Sequence, residues 1–160
     1  MPPSLDPQQL DTGTLALFVG HAAALLVQEQ LTEQGFGDLR FSHGYVFQRL
    51  IDDEPTVGEL AAHLGMTQQG ASKAVAELER LGYCERVSDA ADARIRRVRL
   101  TGRGQDAVAA ARRARTALDQ RLADRFGKQH LAEHRDLLLG LLDELGGTTA
   151  VERRAVRPPR

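Results

Sequence analysis

The chain has 160 residues, 42% of them apolar and 27% charged, and a formal net charge of −1. That length suits one domain with a real core, and the apolar share argues against a disordered chain. A single cysteine excludes an intramolecular disulfide and suits a reducing cytoplasm; no apolar run of about 20 residues points to a membrane span, and the acidic start MPPSLDPQQLD lacks the basic and apolar regions of a signal peptide.

Taken in chain order, Pro7 behind Asp6 predicts a helix over residues 7–34, ended by Gly35. Leu10, Leu15, Phe18, Ala22, Leu25, Leu26 and Val27 give it more apolar surface than one small core can use. Ser42 predicts the cap of a helix over 43–51 that buries Val46, Phe47 and Leu50. Thr56 and Glu59 form a capping box, so the next helix starts at Val57, with Leu60, Ala61 and Leu64 on one face and Gly65 at its end. Thr67 is an N-cap for a second helix over 68–81, closed by Gly82. Its inward stripe is Ala71, Ala74, Val75, Leu78 and Leu81, while Gln68, Gln69, Ser72 and Lys73 take the first turn and the outer face. Ala61, Gly65 and Ala71 are small where two crossing helices must approach closely.

After Gly82 the pattern changes to strand. Residues 83–87 and 95–100 make two extended runs, joined by the turn residues of 88–94. Arg94, Arg96, Arg97 and Arg99 decorate this hairpin, which reads as a wing. Thr101 then caps a long helix reaching about Phe126. A last helix over 129–145 carries Leu131, Leu137, Leu138, Leu141, Leu142 and Leu145. Residues 147–160 read as a mobile basic tail.

Charge is unevenly spread. Residues 1–66 hold 2 basic and 9 acidic side chains, whereas residues 67–160 hold 19 basic and 13 acidic ones. The sign flips where the second helix of the pair begins. Between Arg86 and Arg103, 6 arginines face only Asp89 and Asp92. A solvated basic hairpin would look the same alone, but directly after a helix-turn-helix it favours phosphate contact.

The segment LAAHLGMTQQGASKAVAELERLGYCER, followed by Asp92-Ala-Arg94 and by Leu100-Thr101-Gly102-Arg103-Gly104, resembles the winged helix-turn-helix of the MarR family of bacterial transcription regulators. Many members carry an Asp-x-Arg unit twice in the wing. Here Asp89 is followed by Ala91 where the second arginine would stand, which implies fewer phosphate contacts from that side. The expected fold is mainly α: a single MarR-like domain over 1–146, with dimerisation helices at 7–34 and 102–145 and a winged helix-turn-helix with a small β-hairpin wing at 42–101. The resemblance implies a homodimer, a sequence-specific transcriptional regulator on double-stranded DNA, and a ligand-responsive repressor at a pseudo-palindromic operator. It also implies a small aromatic or phenolic effector between the dimerisation helices and the winged domain.

Residue roles follow from base and phosphate chemistry. Gln68 and Gln69 suit adenine edges, Lys73 guanine, Ser72 a base or phosphate, and Thr67 divides its duty between cap and phosphate. Arg94 is expected in the minor groove, with Asp92 shaping the wing. Arg96 and Arg97 are backbone contacts on opposite strand faces, so at most one reaches DNA well. Phe18, His21, His43 and Tyr45, with Phe41 and Phe47 beside them, are the candidate lining of an effector pocket, although each also suits an ordinary core. His130 and His134 have zinc spacing but no clear third ligand, so no metal or cofactor is expected. Cys84, among apolar neighbours, reads as a buried thiol. No phosphate loop or nucleophile elbow points to an enzyme. The rival reading is a winged-helix protein–protein interaction module without DNA binding, and salt dependence separates the two.

Overall fold

The computed structural model describes residues 6–157. Asp6 caps a single 3-10 turn, Pro7–Gln9, but the chain is extended again at Leu10. Helix α1 (Thr12–Glu33) starts only where Asp11 accepts the Thr14 N–H at 2.9 Å. The expected start at Pro7 is therefore one turn early: Asp11 supplies a second cap that divides the segment. Helix α2 (His43–Leu50) also departs from expectation at its start. Ser42 is itself in a helical conformation and makes no capping bond. The preceding turn does that work, with His43 and Gly44 donating to the carbonyls of Arg40 and Phe41 at 3.0 Å.

The helix-turn-helix follows the local chemistry closely. Helix α3 (Val57–Leu64) carries the full capping box: Glu59 N–H donates to Thr56 Oγ1 at 3.2 Å, and Thr56 N–H to Glu59 Oε2 at 2.7 Å. Gly65 ends it at φ 63°, a conformation that glycine adopts without Cβ strain. Helix α4 (Gln68–Arg80) follows after a short turn, its Thr67 hydroxyl accepting the Gly70 N–H at 3.1 Å.

Strands β1 (Cys84–Ser88) and β2 (Arg96–Leu100) pair antiparallel, Cys84 opposite Leu100 and Ser88 opposite Arg96. The chain before α3 adds to the outer edge of β2: Val98 N–H donates to Pro55 O at 2.8 Å, and Thr56 bridges to Arg97. The wing is thereby tied to the start of α3. The winged half has one buried core, in which Leu60, Val75, Leu78, Tyr83 and Val98 are at most 1% exposed, closed by Val46, Phe47 and Leu50 from α2.

Helix α5 (Gly102–Phe126) leaves this core, with Thr101 capping Gly104 N–H at 3.2 Å. A Cβ on Gly104 would collide with the Tyr83 carbonyl oxygen, so α5 can enter this close only with glycine there. Further along, Ala110 and Ala114 pack on Val27 and Leu31 of α1, a much smaller cluster. Helix α6 (Lys128–Glu144) has no buried residue in this chain.

The terminal helices expose what the winged half buries. Leu17 and Val19 of α1 are 68% and 60% exposed, and Leu137 and Leu139 of α6 58% and 60%. Helix α1 is also long and apolar enough to cross a membrane by length and composition. That corrects the expectation that no such run exists: Thr, Gly, His and Gln interrupt the apolar residues without making the helix polar as a whole. The basic segment after Gly147 carries structure as well. Residues Thr148–Glu152 form a short helix, α7, and Arg154 pairs with Asp52 at 2.6 Å. The outermost residues of the expected domain and tail, 1–5 and 158–160, lie outside the described residues.

Candidate nucleic-acid interface

Helix α4 is oriented by its apolar side. Ala71, Val75 and Leu78 enter the core at a spacing of three to four residues, which turns the first-turn side chains outward. Gln68, Gln69 and Lys73 are exposed there and Ser72 is half-buried. Thr67, also exposed, spends one lone pair on its capping bond and keeps the rest of its hydroxyl free. The result is a row of amide, hydroxyl and ammonium groups at the N-terminal end of a helix, where partial positive charge also favours phosphate.

The wing tip is held by two aspartates. Asp92 accepts the Arg94 N–H and also grips its guanidinium, Nε to Oδ1 and Nη2 to Oδ2, each at 3.0 Å. Arg94 nevertheless remains 90% exposed, so the pair orients the arginine without hiding it. Asp89 accepts the N–H groups of Ala91 at 2.8 Å and Asp92 at 3.1 Å, and binds Arg97. The hydrogen bonds from Arg97 and Arg94, respectively, hold the Asp89 and Asp92 carboxyls below the usual carboxylate range.

The three wing arginines separate in environment. Arg94 and Arg96 are exposed, Arg96 donating to Ser88 Oγ at 2.7 Å. Arg97 is only one-third exposed and turns back to the body, donating to Glu54 O at 3.0 Å and lying 3.8 Å from Glu59. Its contacts fasten the wing to α3. Asp89 is the partner that sequence reasoning missed; its signal was an aspartate two residues before Ala91, the spacing of an Asx turn.

A second missed group sits where the winged half meets α5. Tyr83 donates its hydroxyl to Asp38, and Arg103 reaches the same carboxylate at 3.0 Å while lying 4.6 Å over the Tyr83 ring. Burial, with Asp38 adding to it, pushes the Tyr83 hydroxyl pKa up. This clasp joins the α1–α2 loop, β1 and α5. No local sequence pattern links three residues so far apart.

Above the winged half, a groove of about 1030 Å³ runs between α1, α2, α5 and the C-terminal segment. His43 and Tyr45 line it, together with Phe41 and Phe47, but Phe18 and His21 do not. The groove face of α1 is Gly20, Ala23, Ala24, Val27, Gln28 and Leu31. At about 100° per residue, Phe18 points away from that face, while His21, seven residues before Gln28, stands at its edge. His43 is buried: its Nδ1 accepts the Arg40 N–H at 3.1 Å, and its Nε2 lies 3.5 Å from Glu77 of α4, which Arg40 also binds. Cys84 is buried too, its thiol pushed up to about 12 by desolvation. His130 contacts the Phe126 carbonyl at 3.3 Å, and the described residues contain no cluster of three metal-ligating side chains.

The MarR family model matches residues 38–95, the segment from the Asp38 clasp through the wing tip. Its winged helix-turn-helix is similar to that of the MarR family. Solved MarR-like structures extend the likeness beyond that segment. An S. aureus MepR mutant bound to an oligodeoxyribonucleotide is 21% identical, with a TM-score of 0.62 over 86% of this chain and 99% of that one. Streptococcus pneumoniae FabT in complex with DNA is 21% identical, at 0.64 over 85% and 98%. The transcriptional regulator PA4135 is 27% identical, at 0.57 over 86% and 97%. The likeness thus extends to the terminal helices. No curated protein matches the chain.

Proposed function

We propose that the protein is a DNA-binding transcription regulator that works as a homodimer, reading the major groove with the start of α4 and the minor groove with Arg94. The observation carrying this is the exposed Gln68, Gln69 and Lys73 on the same winged helix as an arginine that Asp92 orients yet leaves in solvent. The DNA held by FabT and the oligodeoxyribonucleotide held by the MepR mutant support it. A second copy of the chain covers the apolar faces of α1 and α6, and its twofold axis makes the operator pseudo-palindromic. Repression, released by an aromatic or phenolic acid seated in the groove beside His43 and Tyr45, is the regulatory side of the same reading. An effector acts there only by binding the DNA-competent and incompetent states unequally. The setting is the cytoplasm.

Fluorescence anisotropy with a labelled duplex from the region upstream of the coding sequence tests it. Binding is expected to weaken steeply with salt, and Arg94→Ala to lower affinity roughly tenfold or more with the fold intact. Salt-independent binding to a protein partner, with no affinity for any duplex, would favour an interaction module instead.

A further inference from the structure

The segment after Gly147 does more than trail from α6. Val151, Glu152, Arg154 and Val156 form one wall of the groove. Arg154 Nε meets Asp52 at 2.6 Å in the α2–α3 connection, and Arg157 Nε donates to the His63 carbonyl at 3.4 Å. The Arg157 side chain also lies against Gly65, within 3.1 Å of where a Cβ would be. Gly65 is the turn between α3 and α4. One short segment therefore touches both the groove and the turn that sets α4.

The backbone supports a built contact. Arg154 is the only non-glycine residue with positive φ among the described residues, at 49°. It ends α7 as glycine commonly does: Ala155 N–H returns to Ala150 O at 2.7 Å, and Arg154 N–H to Val151 O at 3.0 Å. An arginine in that conformation is unfavourable locally and persists only where surrounding contacts hold it. Its side-chain contact is the Asp52 pair, whose side chains are 39% and 61% exposed. Such a pair is weak and salt-sensitive, so the segment can be released.

We propose that residues 148–157 are an intramolecular strap: Arg154 and Arg157 are positioning residues that hold the α2–α3 connection and the helix-turn-helix turn against the groove. While fastened, the strap closes one side of the groove and limits the movement of α4. Once released, it opens the groove and loosens the turn. The consequence for DNA rests on the regulator reading above, but the mechanical claim does not.

Amide hydrogen exchange on the full-length protein without DNA separates the two. Arg154→Gln is the informative variant, because it deletes the ion pair while leaving the backbone cost nearly unchanged. Exchange at residues 51–54 and 63–66 is expected to rise about two- to fivefold, the scale of one surface ion pair. Arg154→Asp is expected to do the same, and Asp52→Arg combined with Arg154→Asp to restore protection. Uptake of the dye ANS is expected to follow the same order. Unchanged or slower exchange in Arg154→Gln, or no recovery in the charge-swapped pair, overturns the strap. Operator titration of the same variants then reports on the regulator reading: no duplex binding by any of them defeats that reading and leaves the strap standing on its exchange data.

Discussion

The two halves of this molecule use similar leucines in opposite ways. In the winged half, Leu60 and Leu78 are at most 1% exposed and share a core with Tyr83 and Val98. In the terminal helices, Leu17 of α1 is 68% and Leu139 of α6 60% exposed; α1 buries only Val27 and Leu31, and α6 buries no residue within the chain. The first half satisfies its hydrophobic surface by itself. The second leaves apolar surface exposed, which in the proposed dimer a second copy covers. In that reading DNA contact falls to the winged half, and the spacing of two such halves along a duplex falls to the terminal helices.

That contrast can be broken most forcefully by comparing leucines. Leu78→Ala is expected to cost about 2–5 kcal/mol of unfolding free energy, through lost transfer energy and a cavity. Its effect on stability is expected to be independent of protein concentration in the monomer range. Leu17→Glu with Leu139→Glu leaves the winged core intact but is expected to convert dimer to monomer and to remove the concentration dependence of Tm. If both leucine classes behave alike in thermal melts over a hundredfold concentration range, the division is wrong.

Gly104→Ala sharpens the junction between the halves. Its new methyl would meet the Tyr83 carbonyl, and since that neighbour is backbone, α5 must shift. A loss of about 1–3 kcal/mol is expected, measurable by urea denaturation. Destabilisation well below that range would mean that α5 enters less closely than the clasp requires.

Smaller effects come from titrating groups. Asp89 and Asp92 have depressed pKa values in the folded wing. Their contribution is therefore fully present above the unfolded aspartate value and is lost only as pH falls through the depressed folded values. Wing order, followed by NMR shifts of Ala91 and Arg94 amides, is expected to persist through pH 5 and fade below about 4. Loss near neutral pH would contradict the assignment. Cys84, with its thiol pushed up to about 12, is expected to resist iodoacetamide in the native protein at pH 8 and to react on unfolding. Rapid native alkylation would contradict its burial.

What the sequence made legible was mostly what short-range chemistry determines. The Thr56–Glu59 capping box, the Thr67 and Thr101 caps and the left-handed Gly65 are each set by neighbours within a turn. So is the outward row of Gln68, Gln69 and Lys73, because a helix has one period. The misreadings lie where two local signals compete or where contacts are remote. Asp6 and Asp11 both offer caps, and the return to extended backbone at Leu10 leaves the long helix to begin at the second. The turn before α2 satisfies the N–H groups that Ser42 was expected to cap. Arg97 looks like any other wing arginine until the fold brings Asp89, Glu54 and Glu59 around it. The separation of Phe18 and His21 from the groove depends on how α1 rotates against α5, a tertiary choice. The contacts of residues 148–157 join sequence positions about a hundred apart, beyond any pattern in the tail itself.

The central claim is that two copies of one rigid winged half, joined through the exposed helices, bind a duplex together. Sedimentation velocity of the purified protein with its upstream duplex at low salt tests this most directly. Two chains per duplex are expected, in a complex that dissociates as salt rises. A single chain that sediments separately from every duplex offered would contradict it.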